Sequence, residues 1–159
     1  MDDQETFRKA TTSRRYAKSR VLLLDEQDHI LLFLTKHDVP GYPARWLTTG
    51  GHLEAGESHR DAAIRELYEE TGLKIDEPGD VIWAHDFLAE RSPGVFANHH
   101  EEFFVHRTAH FEPSHADWTP EEHVDIVDER WWSVDSLKAT TDAVEPANLI
   151  ELLTMVGVS

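Results

Sequence analysis

Two near-continuous apolar runs, Arg20–Leu24 and His29–Leu34, flank the polar stretch Asp25, Glu26, Gln27 and Asp28. That pattern predicts a β-hairpin with a four-residue turn, and the lack of polar alternation predicts strands covered on both faces. Residues 37–45 contain Pro40, Gly41 and Pro43 and read as a loop, after which Trp46 and Leu47 restart apolar structure. Ser58 followed by Asp61 is close to a capping box, Ala62–Thr71 carries a 3.6-residue period, and Gly72 stands where a left-handed cap is wanted, so a helix is predicted there. Further strands are expected over Val81–Leu88, Glu101–Phe111 and Arg130–Ser133, and a short helix over Val134–Ala139. Pro146 is placed to open a last helix carrying Leu149, Ile150, Leu152, Leu153 and Val156 on one side. Helices mixed with strands, some in hairpins, predict a layered α/β arrangement on a mixed sheet. Met1–Lys18 is polar and aperiodic and reads as a loose arm, with the domain taken as 17–159 after an arm of 1–16.

The 159 residues suit a single domain, and 40% apolar content with five Trp, seven Phe and three Tyr suffices for a core. No apolar run approaches the roughly 18 residues of a membrane span, and early Asp2, Asp3 and Glu5 argue against a leader, so the expected location is cytoplasmic, without a membrane partner. The absence of Cys excludes disulfides, thiolate metal sites and thiol nucleophiles, leaving oxygen and imidazole as metal ligands. Fifteen bases face 31 acids, a net charge of −16, and six of the bases precede position 21. Such a body repels polyanions and argues against a nucleic-acid polymer as partner, while a small phosphorylated ligand stays compatible if cations mediate.

On a helix over Ala62–Thr71, Glu66, Glu69 and Glu70 fall at i, i+3 and i+4, so their carboxylates share a face beside an apolar stripe of Ala63, Ile64 and Leu67. Like charges at that spacing cost about 0.2–0.5 kcal/mol per exposed pair, a cost that a divalent cation reverses. The hard oxygen donors suit Mg²⁺, with Mn²⁺ as substitute, and Mg²⁺ shares its shell with substrate phosphates. Three glutamates on a helix also describe an ordinary solvated face, so the surrounding residues must decide.

Those residues are Gly51, Glu57, Arg65, Glu66, Leu67, Glu69, Glu70, Gly72 and Leu73. Their order and spacing resemble the Nudix box, the loop–helix–loop signature of the Nudix hydrolase family, with all nine positions filled; chance gives such a match on the order of once in 10⁸ windows. The preceding hairpin and the later segment 128–137 extend the likeness. The resemblance implies a three-layer α/β/α sandwich around a mixed β-sheet and hydrolysis of a pyrophosphate bond in a nucleoside diphosphate linked to another moiety. The substrate would be a nucleoside triphosphate, oxidised forms included, or a nucleotide sugar such as ADP-ribose. It gives Glu66, Glu69 and Glu70 the metal-binding role, with the Gly50 carbonyl as an added ligand, and makes Glu57 and Arg65 the orienting pair. The catalytic base varies in the family; Glu122 is named as the candidate, beside Glu121, Asp125, Glu101 and Glu102. Thr49 departs from the Pro that many relatives carry before the double glycine.

Tyr42 and Arg45, in the loop before the box, and His100 are the expected substrate contacts. His99 and His100, adjacent on a strand, should point to opposite faces. Trp46, Trp131 and Trp132 are expected to pack in the core rather than to stack a base. A homodimer is compatible with the resemblance. The alternative function is a non-catalytic Nudix-fold module that senses a nucleotide, against which the intact acids argue. The isomerase branch of the superfamily relies on a cysteine that this chain lacks.

Overall fold

Along strand β1 (Tyr16–Leu24), Val21 and Leu23 face one hydrophobic core while Leu22 and Leu24 face another, and all four are fully buried. Strand β2 (Ile30–Thr35) does the same, with Leu31 and Phe33 on the first side and Ile30 and Leu32 on the second. Two-sided burial is what the unalternating apolar runs predict. The coordinates come from a computed structural model and describe residues 16–159. The arm residues 1–15 lie outside them.

The remaining elements are β3 (Arg45–His52), α1 (His59–Thr71), β4 (Val81–Ser92), β5 (Val95–Arg107), α2 (Pro120–Asp125), β6 (Ile126–Trp132), α3 (Val134–Ala139), β7 (Ala143–Glu145) and α4 (Leu149–Met155). Among the described residues the strands form one mixed, curled sheet in the order β4-β5-β1-β2-β3-β7, with β6 paired to β2 and β3 also paired to β1. Strand β1 runs parallel to β5 and antiparallel to β3. Helix α1 covers one face through Ala63 and Leu67, and α3 and α4 cover the other through Val134, Leu137, Leu149, Leu152 and Leu153. The expected three-layer sandwich is present as one domain. No helix of the described residues is long and apolar enough to cross a membrane.

Helix α1 is bounded as its sequence requires. The Ser58 side chain accepts from the Asp61 backbone N–H, and Gly72, at φ 81°, donates its N–H to the Tyr68 carbonyl. It begins at His59, one turn earlier than the apolar period shows. Trp46 and Trp132 sit edge to face in the core, and Trp131 packs on Phe111, as expected.

Several elements differ from the sequence reading: β5 ends at Arg107 and not at Phe111, β6 starts at Ile126 and not at Arg130, and α4 starts at Leu149 and not at Pro146. β1 begins at Tyr16, because parallel pairing with β5 holds residues too polar to announce a strand. The hairpin between β1 and β2 pairs at Leu24 and Ile30 alone, since β3 inserts between the diverging strands. β4 and β5 extend beyond the expected strands to a tight turn near Gly94, so residues 90–98 are mostly strand, with polar Glu90 and Ser92 paired to Phe96 and Val95. Residues 120–125 form α2 behind a capping box at Thr119.

Candidate functional site: an acidic cleft beside an aromatic cavity

The double glycine at the end of β3 joins strand and helix. Gly50 has φ 141°, and a Cβ there would collide with the Ser19 carbonyl, so only glycine fits. Its N–H donates to Glu70 Oε1 at 2.9 Å. A Cβ on Gly51 would come within 2.7 Å of the Glu66 carboxylate. The two glycines thus admit two helix carboxylates against the strand backbone.

Arg65 organises the acids around it. It meets Glu57 through two parallel hydrogen bonds, 2.7 and 2.8 Å long, and also donates to Glu66 at 2.9 Å, to Glu69 at 3.0 Å and to the His52 carbonyl at 2.9 Å. Arg65 holds the Glu57 carboxyl below the ordinary carboxylate range. Glu66 behaves in the opposite way, because burial raises it more than Arg65 lowers it. Glu70 is 5% exposed, and burial, reinforced by Glu66, pushes its carboxyl well up. The charge of Glu122 adds to the rise of both.

A cleft of about 230 Å³ opens beside these groups, lined by Gly50, Glu70, Glu122 and Asp125 and also by Lys18 and Arg20. A second cavity of about 490 Å³ shares Lys18, Arg20 and Arg45 with it and continues to Trp83, Phe87 and His99. Acid and base therefore line one continuous groove that ends in an aromatic wall. Rings along that wall stack in series: Trp83 on His85 at 4.3 Å, His85 on Phe87 at 4.6 Å, Phe87 on His99 at 5.1 Å and His99 on Tyr16 at 5.3 Å. Both ring nitrogens of His99 are buried without a hydrogen-bond partner among the described residues. Burial, with Lys18 behind it, lowers His99 to about 4.

The basic wall is built from β1. Arg20 pairs with Glu101 at 3.0 Å and donates to the Thr48 carbonyl. Burial raises the Glu101 carboxyl, but Arg20 and His85 outweigh it and hold it low. Lys18 is lowered to about 8, by burial first and by Arg20 next.

The sequence-derived candidates distribute as follows. Glu57, Arg65, Glu66, Glu69 and Glu70 are brought together, and Gly50 and Glu122 stand beside them. Glu121 is exposed on α2, Asp125 lines the cleft, and Glu101 lines the aromatic cavity. Arg45 lines both cavities. Tyr42 is half-exposed and stacks on His37, outside both cavity walls. His100 and Glu102 point to the opposite face of the sheet from His99, so His99, and not His100, borders the cavity. Sequence reading missed Lys18 and Arg20 as cavity residues; Arg20 heads the apolar run Arg20–Leu24, and no local pattern marks Lys18.

The donor set fits a hard divalent cation. It consists of oxygens alone, Glu70 is buried and Glu66 half-buried, and burial raises both carboxyls despite Arg65 beside Glu66 and Arg20 near Glu70.

The NUDIX domain matches residues 15–153. A curated relative, the m7GpppN-mRNA hydrolase NUDT17 of Xenopus laevis, is 34% identical over 83 residues, which cover 50% of this chain but 28% of that protein's length. Among solved structures, a NUDIX hydrolase from Nitrosomonas europaea superposes with a TM-score of 0.66 at 20% identity, over 89% of this chain and 87% of that one. A UDP-X diphosphatase superposes with a TM-score of 0.62 at 18% identity, over 98% of this chain and 71% of that one.

Proposed function

The chain belongs to the Nudix family, and from that premise we propose that it is a divalent-metal-dependent pyrophosphohydrolase acting on a nucleoside diphosphate linked to a further moiety. The observation that carries this reading is the convergence of half-buried Glu66 and buried Glu70 under Gly50 and Gly51, braced by Arg65. Glu66, Glu69, Glu70 and the Gly50 carbonyl would hold Mg²⁺ or Mn²⁺. Such an ion polarises phosphoryl oxygens and lowers the pKa of a bound water.

The chain's own residues account for the rest. Lys18, Arg20 and Arg45 place positive charge across the groove from the acids, where they bind a pyrophosphate and offset charge on the departing phosphate. Glu122 is the carboxylate on the α2 side that takes the proton of the attacking water; the Thr119 N–H fixes it at 2.9 Å. Trp83, Phe87 and His99 form the aromatic wall for a nucleobase, and the unpartnered nitrogens of His99 select its edge. Relatives named as an mRNA cap hydrolase and a UDP-X diphosphatase act on nucleotide-linked pyrophosphates, which supports that substrate class.

The test is turnover with Mg²⁺ or Mn²⁺ against nucleoside triphosphates, oxidised nucleotides, ADP-ribose, UDP-sugars and dinucleoside polyphosphates, with products identified by mass. One class turned over well above the rest, and lost in Glu70→Gln, is the expected result. Nucleotide binding without turnover would overturn it in favour of a sensing module.

A further inference from the structure

On the face of the sheet that α1 covers, away from the groove, three side chains from two elements converge. His59 is the first residue of α1, and His100 and Glu102 stand two apart on β5, so both strand residues point the same way. One ligand atom from each lies within 4.8 Å of the others. Glu102 Oε2 is 2.8 Å from His100 Nε2 and 3.4 Å from His59 Nε2. The three side chains are 17–24% exposed, shielded yet reachable.

The hydrogen bonds around the cluster show which ring nitrogens face its centre. The Ser19 hydroxyl donates its single hydrogen to the His59 carbonyl at 2.7 Å, so at 2.9 Å from His59 Nδ1 it accepts. Nδ1 of His59 is therefore the donor to Ser19, and Nε2 is the ring nitrogen that faces the Glu102 carboxylate. His100 stands between two acceptors, Asp86 Oδ1 at 3.0 Å from Nδ1 and Glu102 Oε2 at 2.8 Å from Nε2. A neutral imidazole has one N–H and cannot serve both. Two imidazole nitrogens and a carboxylate oxygen thus converge on one point, a donor set that suits a borderline divalent cation.

We propose that His59, His100 and Glu102 form a second metal site, for a borderline divalent ion of the Zn²⁺ class, independent of the oxygen-ligand site in the groove. A cation there satisfies all three ligand atoms at once and leaves each Nδ1–H on its partner, Ser19 or Asp86, the arrangement that ordinarily orients ligating imidazoles. Tetrahedral coordination with bonds of roughly 2.0–2.1 Å separates ligand atoms by about 3.3 Å. The 3.4 Å spacing meets this, and the 2.8 Å contact opens by about half an ångström on binding. Two imidazoles and one carboxylate leave a fourth position for water. The ion ties the first turn of α1, the helix that carries Glu66 and Glu70, to β5. Nitrogen donors here and oxygen donors in the groove make the two sites prefer different metals.

The experiment uses the full chain stripped of metal. Histidine ¹H–¹⁵N spectra of the unmodified protein are recorded during Zn²⁺ and then Mg²⁺ titration, and Co²⁺ is followed by its visible absorption in Glu70→Gln and Glu102→Gln. Zn²⁺ at one equivalent is expected to shift the Nε2 resonances of His59 and His100 with both Nδ1 sites protonated, and Mg²⁺ to leave them in place. The tetrahedral Co²⁺ band is expected to persist in Glu70→Gln and to fall at least tenfold in Glu102→Gln. Rings that ignore Zn²⁺, or a Co²⁺ band that disappears in Glu70→Gln instead, would overturn the assignment whether or not the enzyme turns over nucleotides.

Discussion

Arg65 and Glu57 meet as a planar fork on a planar carboxylate, Nε to Oε2 at 2.7 Å and NH2 to Oε1 at 2.8 Å. This pair fixes the guanidinium so that its third nitrogen reaches Glu66 and Glu69 from the side. Lysine keeps the charge but cannot meet both oxygens of that carboxylate in parallel. Arg65→Lys is expected to raise the Mg²⁺ concentration for half-maximal activity by about 10–100-fold with a smaller effect on substrate KM. Metal titration of initial rates checks this, and an unchanged metal dependence would remove Arg65 from its orienting role.

Glu70→Gln separates chemistry from folding. Gln retains an Oε1 that accepts from the Gly50 N–H, and it removes a buried charge. Turnover is expected to fall by about 10²-fold or more. In EDTA the variant should melt above the parent at any pH where Glu70 is ionised, because burial disfavours that carboxylate. Calorimetry in EDTA and rates in Mg²⁺ make the two readings on one preparation.

The sequence carried this part of the site well because helix spacing is arithmetic. Glu66, Glu69 and Glu70 converge by a 3.6-residue period, and Ser58 and Gly72 mark the helix ends by local chemistry. Covered strands were equally legible in Val21–Leu24 and Ile30–Phe33. What escaped depends on pairing between distant segments. Lys18 enters the groove because β1 lies beside both β5 and β3, opposite Glu101 and His52, a register that no local window contains. The same pairing puts His99 on the cavity wall and His100 on the other face, since alternation separates the two but cannot say which faces the cavity.

Lys18 gives the groove a pH limit. Burial and Arg20 lower its ammonium to about 8, so the substrate-free enzyme loses this positive charge as pH rises through that value. kcat/KM for an anionic substrate is expected to decline about tenfold per unit above the transition until it reaches a new plateau. Lys18→Arg, charged throughout, should hold the plateau to higher pH, and Lys18→Gln should be low and flat. A parent profile that Lys18→Arg leaves unmoved would assign the titration elsewhere.

His99 shapes acid stability. Its folded pKa of about 4 lies below its ordinary value of 6.5, so between these the unfolded chain binds the extra proton. Stability from this group is present above pH 6.5 and is lost as pH falls toward 4. His52 is lowered to about 4 as well, so part of the slope persists without His99. His99→Phe keeps a ring between Phe87 and Tyr16 and removes the titration. Urea unfolding at pH 7 and pH 5 should show the parent-to-variant ratio of unfolding constants changing on the order of tenfold. Equal pH dependence in both proteins would contradict the buried, neutral imidazole.

Gly51 tests whether the carboxylate's position, as distinct from its charge, matters. A Cβ at this residue meets the Glu66 carboxylate at 2.7 Å, the movable end of a side chain, whereas a Cβ on Gly50 meets the fixed backbone of Ser19. Gly51→Ala therefore has an escape through rotation of Glu66, and Gly50→Ala has none and is strained by φ 141° besides. Gly51→Ala is expected to fold with a melting temperature within a few degrees of the parent, while its Mg²⁺-supported rate drops by about tenfold or more as Glu66 leaves the strand. Gly50→Ala is expected to lose about 2 kcal/mol or more of stability. If Gly51→Ala kept full activity, Glu66 would work from a displaced position, and the close fit of helix to glycine would serve packing alone.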